Sequence, residues 1–258
     1  MGSKLLADYL VLGYDNDELL SILDVIQQSE YSTFPAELHK KVRNLFTIGL
    51  GNINRLFPKV GVKSSSTNPE DYISKWLKRY YNAYTHRQST LSAKPKGSSN
   101  DPALSLIVQS NRNYDNKRTH QALTDHNLFM SAENIQGALL EEYINIHAEK
   151  DGWIWAEGET MRACDFVRLD PVTYIPELIQ IKNRDNTENS SSLAIRAGTQ
   201  IKKWNRLKTK RKDNQPYPVF QWKMLNKMMK ISPNNLMSED NYRNFLQQVA
   251  INNNNLLT

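Results

Sequence analysis

TYIPELIQIKNRDNTENSSS, residues 173–192, opens as an apolar strand and closes as a polar tract rich in asparagine and serine. Successive side chains on a strand point to opposite faces, so Leu178, Gln180 and Lys182 share one face while Ile179 and Ile181 share the other. Why should such a strand end on an amide and an ammonium pointing the same way? A half-buried lysine is costly unless an anion meets it. The upstream segment ACDFVRL (163–169) offers one: Ala163, Asp165 and Val167 share a face, with Cys164 and Phe166 on the other. If the two strands pair, Asp165, Gln180 and Lys182 converge at one edge of a sheet. A carboxylate and an amide oxygen suit a hard divalent cation such as Mg²⁺, and the Ile181 carbonyl adds a third oxygen. A lysine beside that ion can orient or deprotonate a water and stabilise a negative phosphoryl transition state. The competing reading is a structural ion pair from Asp165 to Lys182 with Gln180 exposed.

The rest of the chain supplies a polyanion-binding character. Its 258 residues are 39% hydrophobic and 23% charged, which is ordinary for a globular protein, and the net charge is +6 with a pI near 9.2. Between 202 and 212 the run KKWNRLKTKRK carries seven basic residues and no acid. Read with the helical spacing of Leu193, Ala194, Ala197, Ile201 and Trp204, it predicts a basic helix facing a phosphate backbone. Cys164 is the one cysteine, which excludes an internal disulfide and cysteine-clustered zinc and fits a reducing cytosol. No apolar run is long enough to span a bilayer, and the first residues lack the pattern of a signal peptide. A cytoplasmic protein without membrane attachment is expected.

Two parts are predicted. Residues 1–130 read as an α-helical N-terminal part, including the aromatic stripe Tyr72, Trp76, Tyr80, Tyr81 and Tyr84, with KPKGSSNDP (94–102) as the best linker. Residues 131–258 read as helix, three strands, helix, strand, helix: SAENIQGALLEEYINIHAE, GWIWAEG, ACDFVRL, TYIPELIQIKN, the basic helix, PVFQWKML and SEDNYRNFLQQVA. The class is mixed α/β, a β-sheet core flanked by helices.

With these residues in place, Asp165 and Gln180-Ile181-Lys182 resemble the PD-(D/E)xK nuclease motif. The pieces SAENIQGALLEEYI, GWIWAEG, ACDFVRLD, LIQIKNRDNTENSSS and QIKKWNR, over about residues 131–206, are similar to the SinI-type group of type II restriction endonucleases. The resemblance implies a restriction-endonuclease-like core, Mg²⁺-dependent hydrolysis of double-stranded DNA leaving a 5′-phosphate and a 3′-hydroxyl, and a short GGWCC-like site. It also implies a bacterial host with a cognate DNA methyltransferase. Two departures stand out: Cys164 replaces the usual proline before Asp165, and Gln180 replaces the usual acid. The family's helix glutamate falls by Gly-x-x-x-Glu spacing on Glu141, four residues after Gly137, whereas periodicity puts Glu142 on the core-facing stripe.

Arginine reads guanine, asparagine adenine, and acids the cytosine amino group. Arg184, Asn186 and Glu188, with Asn189 beside them, are thus the expected base readers, and Lys202, Lys203 and Arg206 the phosphate contacts. A two-fold palindrome would be matched by a homodimer, with the tyrosine stripe or the closing helix around Tyr242, Phe245 and Leu246 as its interface. A junction resolvase or repair nuclease, and a non-catalytic DNA-binding module, are the alternatives on the same core.

Overall fold

The computed structural model describes residues 2–63, 65–92, 101–185 and 190–257. The chain falls into two compact units, one of residues 1–86 and 144–239, the other of residues 87–143 and 240–258. The sequence boundary at 130/131 lies inside a single helix, α7 (Asn116–Ala148).

In the first unit five helices come first: α1 (Ala7–Leu10), α2 (Asn16–Glu30), α3 (Ala36–Leu50), α4 (Ile53–Leu56) and α5 (Glu70–Thr85). Helix α2 starts on a capping box, with Asp15 and Glu18 each accepting the other's backbone N–H. The helical stripes read from the sequence face inward. Leu38, Val42, Leu45, Phe46, Tyr72, Trp76, Tyr80 and Tyr81 are all buried in one apolar cluster. The tyrosine stripe is therefore core, and it offers no interface to a second copy.

A five-stranded sheet follows, in spatial order β1 (Ile154–Trp155), β2 (Phe166–Leu169), β3 (Pro176–Arg184), β4 (Ile201–Lys212) and β5 (Gln215–Phe220). Strands β3 and β4 are parallel and the other pairs antiparallel, with helix α8 (Ser190–Arg196) in the crossover. At the turn before β3 the Asp170 carboxylate accepts the N–H groups of Val172 and Thr173. One sheet face is apolar at its near end, where Val167, Leu178 and Ile201 join the core of the N-terminal helices. Helices α1 to α5 are thus the floor on which the sheet rests. Helix α9 (Trp222–Met228) follows β5, and Trp222 meets Trp204 with ring centroids 5.3 Å apart.

Two segments differ from expectation. The basic run is a strand, not a helix: α8 ends at Arg196 and β4 begins at Ile201. A Cβ on Gly198 would lie 2.0 Å from the Arg55 guanidinium, whose Nη1 also donates to the Ala194 carbonyl. The strand wins because β3 is buried on both faces from Leu178 to Ile181, so its backbone groups need a partner strand on each side. That requirement overrides the weak helical preference of lysine and arginine. Likewise PVFQWKML is a strand only to Phe220, and a helix from Trp222.

The second unit holds α6 (Pro102–Arg112), most of α7 and α10 (Glu239–Asn252). Ile135, Leu139, Val249 and Leu256 form its core with Phe245 and Leu246 against them, and Tyr242 is fully buried. In the closing helix Tyr242 and Val249 are core, while Phe245 and Leu246 are half-buried.

Candidate active site

The register between strands decides which side chains meet. Val167 lies opposite Leu178 and Phe166 opposite Ile179, where the regular pairing of β2 with β3 stops. Across the parallel pair Gln180 aligns with Lys203 and Lys182 with Asn205. Residues aligned across a ladder share a face, so the face that is apolar at Val167, Leu178 and Ile201 turns polar at Gln180, Lys182, Lys203 and Asn205.

The regular ladder ends at Asp165. Its N–H donates to the Ile179 carbonyl at 2.9 Å and its carbonyl accepts from Ala156 at 2.8 Å. The next N–H along β3, that of Ile181, donates to the Asp165 carboxylate at 2.6 Å. The carboxylate thus takes the place of a backbone acceptor and is locked onto the motif strand. Protein crowds the carboxyl, and that loss of water pushes its pKa up to about 6, against the opposing pull of the Ile181 N–H and the Lys182 ammonium. Lys182 is exposed at the end of the polar face. Beside Asp165, Cys164 is buried, its Sγ–H donating to the Phe166 carbonyl at 3.4 Å, and burial raises the thiol pKa far above the ordinary value.

Gln180 is 3% exposed and its Oε1 accepts a hydrogen bond from Arg196 Nη1 at 2.8 Å. The oxygen expected to face a metal is therefore engaged by an arginine from the crossover helix. Lys203 is half-buried on the same face, and burial, then Arg196 and Lys182, hold its pKa below the usual lysine range. The Asn205 Oδ1 is buried and makes no hydrogen bond within the chain. Arg196 and Asn205 were not foreseen. The signal for Asn205 was its alternation with Lys203 once β4 is a strand; Arg196 has no local signal at all.

The other expected residues fall as follows. Glu141 and Glu142 belong to the second unit; Glu142 is buried and accepts from the Ser89 N–H and hydroxyl, which leaves it a structural acceptor. Arg184 is exposed at the end of β3. Asn186, Glu188 and Asn189 lie outside the described residues. Lys202 is exposed on the opposite face, aligned with Ile179. Arg206, expected on phosphate, is buried instead: its Nε donates to Asn183 Oδ1 and its Nη1 to both carboxylate oxygens of Glu239. A guanidinium spent in this way is an internal anchor. Among the described residues no group of three or more His, Cys, Asp or Glu is placed to hold a metal. Mg²⁺ nevertheless fits the donor chemistry, because it commonly takes one or two carboxylates plus substrate phosphate and keeps several waters.

The chain is similar to known proteins over most of its length. The family model of the SinI restriction endonuclease matches residues 27–250. The chain is 36% identical over 157 residues to the type II restriction enzyme Eco47I of Escherichia coli, covering 60% of this chain and 68% of that enzyme. It is 40% identical over 128 residues to the type II restriction enzyme SinI of Salmonella infantis, covering 49% of this chain and 56% of that enzyme.

Proposed function

Because the chain belongs to the SinI restriction endonuclease family, a group of type II site-specific deoxyribonucleases, we propose that it cleaves double-stranded DNA at a GGWCC-like site with Mg²⁺ as cofactor. The observation that carries the reading is the hydrogen bond from the Ile181 N–H to the Asp165 carboxylate, which holds that carboxylate on the Gln180-Ile181-Lys182 segment, close enough to feel the Lys182 ammonium.

Asp165 would hold the cation, helped by the Ile181 carbonyl and by Gln180 if Arg196 releases its amide oxygen. Bound Mg²⁺ supplies a Lewis acid at the phosphate and lowers the pKa of a coordinated water. The chain's own residues do the rest. The exposed Lys182 ammonium donates to the attacking water and to the phosphoryl oxygens, where negative charge grows in the transition state. Water attacks phosphorus in line, the bond to the 3′ oxygen breaks, and a 5′-phosphate and a 3′-hydroxyl remain. Arg184 and the tract at Asn186, Glu188 and Asn189 would read bases, while Lys202 and Lys203 meet phosphate. The reading places the enzyme in a bacterial cytoplasm beside a protecting DNA methyltransferase. It also makes the enzyme a homodimer with one site per strand. Glu141 is carried by resemblance alone.

Purified protein, plasmid and Mg²⁺ test the proposal. Discrete fragments whose sequenced ends share one short site support it, and Asp165→Ala and Lys182→Ala should each abolish cutting in a folded protein. Cutting confined to branched DNA would make it a resolvase. Tight binding without cutting would fit the Arg196-engaged Gln180 and a non-catalytic module. Light scattering on DNA distinguishes a two-to-one complex from one-to-one binding.

A further inference from the structure

The β4–β5 ribbon outruns the rest of the sheet. The last aligned pair between β3 and β4 is Arg184 with Leu207, whereas β4 and β5 stay paired out to Lys212 and Gln215. Every residue from Lys208 to Pro218 is exposed, so both faces of this arm stand in solvent. On the proposed reading of a sequence-specific nuclease, we infer that the arm enters the major groove of the bound duplex and that Arg211 reads a guanine there.

Three observations carry the inference. The first is shape and stiffness. Asp213 and Asn214 close the hairpin, both at positive φ (50° and 60°), in the two-residue turn whose twist matches that of the strands. Pro216 and Pro218 fix φ on one strand, and at the root the Asp185 carboxylate accepts the Thr209 N–H at 3.1 Å. The major groove, about 12 Å wide and 8.5 Å deep, admits a two-stranded ribbon of this kind. The second is charge. From 208 to 218 the arm carries Lys208, Lys210, Arg211 and Lys212 against the single acid Asp213. Exposed lysines can also guard an open sheet border, but these cations all lie on the inner strand β4, and the border strand β5 has none between Gln215 and Pro218. The third is their split between two faces. Alternation puts Thr209 and Arg211 with Asn205 and Leu207, on the face of Lys182 and Arg184, while Lys208, Lys210 and Lys212 lie on the other. A ribbon laid flat across phosphates needs cations on one face. Sunk in a groove, it has bases under one face and phosphate walls rising past the other, within reach of long lysines. Arg211 is the arm's one guanidinium, the group whose fork matches guanine O6 and N7. It lies six residues past Asn205, about 20 Å along β4. That is about six base-pair steps of 3.4 Å, the scale of a short site.

The test uses the full chain and the variants Arg211→Ala, Arg211→Lys and Lys210→Gln. Duplexes are selected by binding from a randomised pool, with Ca²⁺ in place of Mg²⁺ so that nothing is cut, and are then sequenced. The wild type should enrich a motif with a required guanine, and both Arg211 variants should lose that requirement while keeping the rest of the motif. For them the affinity ratio of the motif over its guanine-changed counterpart should shrink roughly 5–150-fold, the value of one bidentate base contact. Arg211→Lys keeps the charge but not the fork, so its log K against log[salt] slope should match the wild type. Lys210→Gln should enrich the wild-type motif and flatten the slope by about 0.9. Placing 7-deazaguanine, which lacks N7, at the required position should weaken the wild type and leave Arg211→Ala unaffected. A motif unchanged in Arg211→Ala overturns the inference, as does a wild type that enriches no motif or is indifferent to 7-deazaguanine. The nuclease reading is judged apart, with plasmid and Mg²⁺. Discrete cutting with an Arg211-independent motif sinks the inference alone, and an Arg211-dependent motif without cutting sinks the nuclease alone.

Discussion

Arg206→Ala separates an internal anchor from a DNA contact. Arg206 is 6% exposed. Its Nη1 donates to Glu239 at 2.7 and 2.8 Å and its Nε to Asn183 at 2.8 Å, while Trp222 Nε1 donates to Glu239 at 2.8 Å. The guanidinium carbon lies 5.2 Å from the centre of the Phe220 ring. Truncation leaves Glu239, whose side chain is only 14% exposed, as a buried carboxylate without its cation. Breaking one partner of such a pair costs about 3–5 kcal/mol. At about 2–4 °C per kcal/mol for a domain of this size, the melting temperature should fall by roughly 6–20 °C. Tryptophan fluorescence is the right probe, because all five tryptophans lie in the sheet-bearing unit. Arg206→Met combined with Glu239→Leu removes both charges together and should recover much of the loss, since apolar replacement of a buried pair is often neutral. A single variant that melts with the wild type, yet shows a salt slope of DNA binding reduced by about 0.9, would refute the assignment and return Arg206 to the DNA surface.

Other outcomes follow from the same coordinates. Lys208, Lys210 and Lys212 are exposed on one face of the β4–β5 ribbon with Gln215 and Tyr217; changing all three to Gln should flatten the salt slope by up to roughly 2.7 for every DNA sequence alike. The pH dependence has two limbs of opposite sign. Lys230 and the Thr173 and Val172 N–H groups hold Asp170 well below the ordinary carboxylate range, and Lys230 and Arg168 hold Glu177 down against the effect of burial. The stability that these two contribute is complete above the ordinary range, about pH 4, and drains away as pH falls toward their depressed folded values. Urea midpoints measured down to pH 2.5 should fall less steeply in Asp170→Asn. Asp165 runs the other way: with its folded pKa raised to about 6, metal-free protein loses stability as pH climbs from about 4 to about 6, a limb that Asp165→Asn should erase. Buried Cys164 should resist thiol reagents until the chain unfolds; rapid labelling of native protein would contradict its placement.

What could be read from residues alone was whatever depends on the two-residue period of a strand. The common face of Gln180 and Lys182 on β3 follows from it, whereas Asp165 is brought to them through its own carboxylate, at the point where the regular pairing stops. The strand β4 could not be read in that way, since Leu193, Ala194, Ala197, Ile201 and Trp204 satisfy a helical spacing equally well. Its partner is β3, and the demand for hydrogen bonds along a doubly buried strand is not local. The error spread to its side chains: as a helix the basic run has a single solvent face, but as a strand it sends Lys203 to the face of Gln180 and Arg206 inward. Arg206 is buried only because Asn183 and Glu239, far off in the chain, receive it. Arg196 is the same kind of case, because a lone arginine on a short helix means nothing until Gln180 is found opposite its tip.

The outer strands of the sheet also limit how copies of the chain can join. The Gln221 N–H donates to Arg206, so on β5 the N–H groups of every second residue, at 215, 217 and 219, turn toward β4. Those at 216, 218 and 220 turn outward, and two of these three positions are proline, which has no N–H to give. The opposite border is β1, only two residues long. A neighbouring strand docking on β5 would find a single donor, and one docking on β1 would find almost no length to follow. Continuing the sheet across a two-fold axis is thus closed at both borders, and an assembly of these chains must be built through helices, loops or the DNA itself.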